Sequence, residues 1–130
     1  MKPKELTLPD AMKYPNAEIR ELYPMTDYFY KNICELINDR IKNENFFVDC
    51  ELVDCQLILR SIDDLTDKEK KYIANKFLFQ GKSLKVVGNI TLEHLIVCCQ
   101  TDMIKDLIDY LRSIGIDVDG FLLNGKAVKA

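Results

Sequence analysis

Apolar residues along this chain recur at two spacings, and the spacing assigns most elements before any other property is consulted. In TDYFYKNICELINDRIKN (26–43), Phe29, Ile33, Leu36, Ile37 and Ile41 fall on one helical face, with Thr26 placed to cap it. The next segment, NFFVDCELVDCQLILR (45–60), alternates instead. Phe46, Val48, Cys50 and Leu52 share one parity, and Val53, Cys55, Leu57 and Leu59 the other. A change of parity predicts two strands, or one strand broken by a bulge, with the break near Leu52–Asp54. LTDKEKKYIANKFLFQG (65–81) returns to helical spacing. Thr66 and Glu69 form a capping-box pair, Tyr72, Ile73 and Phe77 supply the buried stripe, and Gly81 suits the helix end.

SLKVVGNITLEHLIVCCQ (83–100) reads as two strands, 83–88 and 90–99, joined by Gly88-Asn89, a two-residue hairpin signal. TDMIKDLIDYLRSIG (101–115) is a third helix, capped by Thr101 and ended by Gly115. Its apolar face is Met103, Ile104, Leu107, Ile108, Leu111 and Ile114. A short helix over 118–124, stopped by Gly125, and a terminal strand over 126–129 complete the chain. All four prolines (Pro3, Pro9, Pro15, Pro24) precede residue 25. Proline removes a backbone donor and biases its predecessor away from the helix. Residues 1–15 therefore read as an extended arm, with a short helix at Asn16–Leu22.

Strands in adjacent pairs, without βαβ alternation, predict an α+β fold. The expected architecture is a small antiparallel sheet, a hairpin plus one or two further strands, covered by about three helices. An irregular arm (1–25) precedes a single domain (26–130). Its expected core is Ile33, Leu36, Ile37, Leu57, Leu59, Ile73, Phe77, Val86, Ile96, Leu107, Ile108 and Leu111.

Composition narrows the function classes. The 130 residues are 48% hydrophobic and 30% charged, enough for one core. A net charge of −3 argues against direct nucleic-acid binding. The lysines at 68, 70, 71 and 76 read as a solvated helix face beside Asp63, Asp64 and Asp67. The opening MKPKELTLPD lacks the apolar run of a secretory signal, and no stretch has the length of a membrane span. Five cysteines then predict reduced thiols in a cytoplasmic protein.

Candidate chemistry is sparse. The DVDG of residues 117–120 begins like a calcium loop, but no acid follows it and Phe121, Leu122 and Leu123 stand where ligands belong. Asp117 or Asp119 is instead expected to cap the final helix. The sole histidine, His94, has no local partner for acid–base work. Cys50 with Cys55, and Cys98 with Cys99, lack zinc-site spacing. Buried thiols acting as small hydrophobes explain Cys34, Cys50, Cys55 and Cys98. No catalytic residue, metal or cofactor is therefore assigned, and the chain is not expected to be an enzyme.

Two stretches carry a resemblance. LILRSIDDLTDKE (57–69) resembles a passage of the form LRPLSDLTEEE in small bacteriophage and prophage proteins. YLRSIGIDVDGFLLNGKAV (110–128) resembles their ending, a helix followed by GxDxFGLIExGLAI. Ser61 stands where that pattern has proline, and Asp119 where an aromatic is usual. The resemblance implies a phage or mobile-element accessory protein that binds a host or viral protein stoichiometrically, as inhibitors of CRISPR and other defence systems do. A small cysteine-dependent enzyme or redox protein pairing a thiol with His94 is the alternative. A minor virion or assembly component, forming a homo-oligomer, is another. If a partner binds, residues 10–30 are the expected surface, with Tyr14, Tyr23, Tyr28 and Tyr30 as anchors, because tyrosine buries area while keeping a polar tip wet. The rival expectation is that these rings bolt the arm to its own domain.

Overall fold

The computed structural model describes residues 5–22, 27–42, 51–52, 54–78 and 91–130. The Thr26 cap, Tyr23, Cys50, Val86 and the Gly88-Asn89 hairpin lie outside them.

The first departure from expectation is the arm. Its described residues form strand β1 (Leu6–Thr7), helix α1 (Leu8–Met12) and strand β2 (Ile19–Glu21). Proline is compatible with this helix because Pro9 lies in its first turn, where the missing N–H has no partner to lose. Thr7 and Asp10 close a capping box around that turn. Strand β3 (Tyr28–Tyr30) follows, and helix α2 (Ile33–Lys42) starts later than Thr26. Asn32 caps it by accepting the Glu35 amide. Three consecutive aromatics at 28–30 suit a pleated surface better than a helix.

The parity change resolves as two strands, β4 (Glu51–Leu52) and β5 (Cys55–Leu59), separated at Asp54, whose φ of 60° is left-handed. After a 3₁₀ turn at Ile62–Asp64, helix α3 (Asp67–Lys76) carries the Thr66–Glu69 capping box as expected. It ends well before Gly81. Gln100 donates its amide to the Phe77 carbonyl, and Leu78 bridges to Cys99.

Residues 92–98 are a helix, α4 (Leu92–Cys98), and not the expected strand. Leu92, Leu95, Ile96 and Cys99 recur at helical spacing, and Thr91 caps by accepting the His94 amide. Thr101 opens a 3₁₀ turn and makes no side-chain cap. Helix α5 (Ile104–Ser113) starts after it. Helix α6 (Phe121–Asn124) and strand β6 (Ala127–Lys129) close the chain, with Gly125 left-handed between them at φ 86°.

The α+β class is observed, with two sheets among the described residues. β1 pairs with β4, and a four-stranded sheet runs β3-β2-β5-β6. Its β2–β3 and β2–β5 pairings are antiparallel, whereas β5–β6 is parallel, so the sheet is mixed. One face, bearing Ile19, Tyr30, Cys55, Leu57, Leu59 and Ala127, packs against Ile33 and Leu36 of α2, Tyr14 and Phe121. Helices α3, α4 and α5 do not cover that sheet. They enclose a second core of Ile73, Phe77, Leu95, Leu107, Leu111 and Ile116, and Val118 packs against both. Of the expected core, Ile37, Ile96 and Ile108 are half-buried, and the other described members are buried.

Truncating Phe77 or Leu107 to alanine is expected to cost about 2–5 kcal/mol, read as a shift in the urea midpoint. A loss under about 1 kcal/mol at both, the level of surface substitutions, contradicts this core.

Candidate interaction surface

The DVDG corner is a structural joint. Asp117 accepts the amides of Phe121 at 3.0 Å and Leu122 at 3.0 Å, and so caps α6, whose own N-cap Gly120 has no side chain to offer. Asp119 faces the other way. It takes a bidentate pair from Arg112, with Nη2 at 2.9 Å and Nε at 3.2 Å, and the Tyr14 hydroxyl at 2.7 Å. That hydroxyl also accepts the Val118 amide at 2.9 Å. Burial opposes ionisation of Asp119, but the Arg112 and Tyr14 bonds outweigh it and hold the carboxyl below its ordinary range. Burial, and then the bond to Asp119, push the Tyr14 phenol upward.

Two of the four tyrosines expected as anchors are buried. Tyr14 is fully buried, edge-on to Phe121 at 5.8 Å, and bolts α1 to the C-terminal corner. Tyr30 is also buried and donates to Asp39 at 3.0 Å. Tyr23 lies outside the described residues. Tyr28 alone of the described three is on the surface, 53% exposed, with its ring tilted against that of Tyr30 at 4.9 Å.

The thiol–imidazole alternative gains no assembled site. His94 is exposed on α4, and its ring has no hydrogen-bond partner among the described residues. Cys98 stands one turn further on and is half-buried. Cys55 is buried under the sheet beside Glu21, to which its thiol donates at 3.6 Å, and Arg40 pairs with that same carboxylate. Burial and the Glu21 charge push the Cys55 thiol up to about 12, the reverse of what a nucleophile requires. Among the described residues, no cluster of three or more His, Cys, Asp and Glu is disposed around a metal, and no helix is long and apolar enough to cross a membrane.

Two shallow grooves flank Arg60. One, of about 540 Å³, is lined by Arg60, Thr66, Lys68, Glu69, Tyr72 and Tyr110; the other, of about 400 Å³, runs beside Asn16, Glu18, Ser113 and Ala130. Neither is lined by His94 or a cysteine. Arg60 is committed internally. Its guanidinium forks onto Glu69 at 2.6 and 3.0 Å and reaches the carbonyls of Ile114 and Asp64. This pairing, with a smaller contribution from the Thr66 amide, holds Glu69 at about 2 against the effect of burial.

The surface offers apolar contact area instead. Of the eight large hydrophobics exposed among the described residues, Met12, Leu22, Tyr28 and Phe29 fall within residues 10–30. The expected stretch is therefore partly exposed, through Tyr28 and three side chains not expected as anchors. Of these, Phe29 is exposed because it sits on the outward parity of β3, opposite Arg20 of β2, a strand pairing invisible in one sequence. No protein-family profile matches the chain, and neither the curated proteins nor the solved structures give a significant match.

Two outcomes test this geometry. At pH 8, the native chain should leave Cys55 unmodified by a maleimide while exposed Cys34 reacts; rapid labelling of Cys55 before unfolding contradicts its burial. Glu69 has a lowered folded-state pKa, so its contribution to stability is complete above its ordinary value near 4.5 and is lost as pH falls toward 2. Arg60→Met should flatten the stability–pH curve within that window, and an unchanged slope argues against the pairing.

Proposed function

We propose that the chain is a non-enzymatic accessory protein of phage or mobile-element type that acts by stoichiometric binding to a host or viral protein, as inhibitors of host defence do. The observation that carries this reading is the concentration of exposed apolar side chains between residues 10 and 30, on α1, just after β2 and on β3. Exposed apolar area costs solubility and is repaid when a partner covers it. The inaccessible, high-pKa Cys55 thiol supports binding over cysteine chemistry. The resemblance of residues 57–69 and 110–128 to phage proteins supports the class of partner.

The tagged chain, expressed in a bacterial host with and without phage infection, should recover a protein partner at fixed stoichiometry through gel filtration. Met12→Lys combined with Leu22→Ser should abolish that complex while leaving the melting temperature unchanged, since both side chains are exposed. Recovery of no stoichiometric partner from either culture counts against the proposal. So does a complex indifferent to both substitutions.

A further inference from the structure

The backbone pattern of the four-stranded sheet leaves one edge oriented for pairing. In β2, the Leu22 amide donates to Asp54 and the Glu18 carbonyl accepts from Ile58. Backbone groups alternate in direction along a strand. Glu18, Arg20 and Leu22 therefore aim theirs at β5, while Ile19 and Glu21 aim theirs at β3. Tyr30 and Tyr28 stand opposite Ile19 and Glu21 and are the hydrogen-bonded partners. Phe29, opposite Arg20, is the non-hydrogen-bonded member, so its N–H and C=O point outward from the sheet. Among the described residues, no hydrogen bond to these groups is present and β3 is the terminal strand of the sheet. The Phe29 side chain is 55% exposed.

We propose that the chain pairs with a second copy of itself along this edge, antiparallel, about a two-fold axis at Phe29. Such an interface is self-complementary: each residue meets its symmetry counterpart. Phe29 stands opposite Phe29 of the second copy, and the two exchange both backbone hydrogen bonds. One step outward, Tyr28 stands opposite Tyr30. A further step places Asp27 opposite Lys31 of the second copy, and the axis repeats this opposite-charge pair on the other side. Both residues are exposed. The Lys31 ammonium has no ion-pair partner among the described residues, while Asp27 is held in place by Arg20 at 2.7 Å. Among the registers that the backbone pattern allows, charge complementarity selects the one centred on Phe29. The result is a continuous eight-stranded sheet, with the two apolar Phe29 rings on one face.

This inference rests on the reading that the chain works through protein contacts, but it concerns the purified chain alone. Loss of a heterologous partner therefore leaves it standing. It is tested by sedimentation equilibrium from micromolar to millimolar concentration. The wild type is expected to reach twice its 15.1 kDa mass. Phe29→Pro removes the outward N–H at an edge position, where proline is tolerated, and should yield a folded monomer by circular dichroism and mass. Asp27→Lys places like charges across the axis twice and should weaken association about tenfold. Adding Lys31→Asp restores opposite charges and should recover the dimer. Both of these variants lack the Arg20–Asp27 pair, so their difference reads only the contact between copies. A wild type that stays monomeric at millimolar concentration overturns the inference. So does a charge-reversed pair no stronger than Asp27→Lys alone, and so does a folded Phe29→Pro variant that still dimerises.

Discussion

The rest of the structure depends on how Arg60 ends β5. Its amide donates to Gly115 at 2.7 Å and its carbonyl accepts from Asp117 at 2.9 Å, so the strand is extended by one residue of parallel pairing with the C-terminal segment. Its guanidinium reaches the opposite way, to Glu69 on α3 and to the Ile114 carbonyl at the end of α5. One residue thus satisfies the C-cap carbonyl of a helix, clamps a capping box and aligns the segment leading to the Asp117–Asp119 corner. A guanidinium offers five donors in a fixed fork, and lysine could not span these acceptors. The two cores meet where this residue holds them, with Val118 filling the seam.

Several local signals in the sequence were faithful, although the Thr101 cap was not. The Thr66–Glu69 capping box, the turn at Asp54 and the Gly125 that stops α6 need only neighbouring residues to form, and each is found where the sequence places it. Failures occurred where tertiary context decides. The run LEHLIVC carries β-branched residues and follows a hairpin signal, yet packing of Leu95 against Phe77 and Leu107 within one core fits a helix. Proline content suggested an irregular arm, but Thr7 and a sheet already containing β5 give residues 5–22 regular partners. The parallel β5–β6 pairing joins residues about seventy apart in the chain, and no short-range pattern encodes it.

The same division explains the binding surface. Tyrosine content pointed to residues 10–30, but the fold uses Tyr14 and Tyr30 as internal bolts and exposes Met12, Leu22 and Phe29. Which side of a strand faces solvent depends on register, and a shift of one residue exchanges the two faces. Cys55 and Glu21 show the converse: a thiol and a carboxylate that suggest chemistry are buried beneath the sheet and held by Arg40.

The link between Tyr14 and Asp119 joins residues 105 apart in sequence, and Lys126 reaches Asp10 across 116. During synthesis, therefore, the segment containing α1 emerges long before the residues that complete its packing. Until the corner at 117–119 leaves the ribosome, the Tyr14 ring and the β2 strand have no finished core to enter, and their apolar surface stays open to chaperones. Closing so large a loop makes folding slow relative to a local helical bundle. The α3–α5 core is built from residues closer in sequence and carries the smaller loop-closure cost.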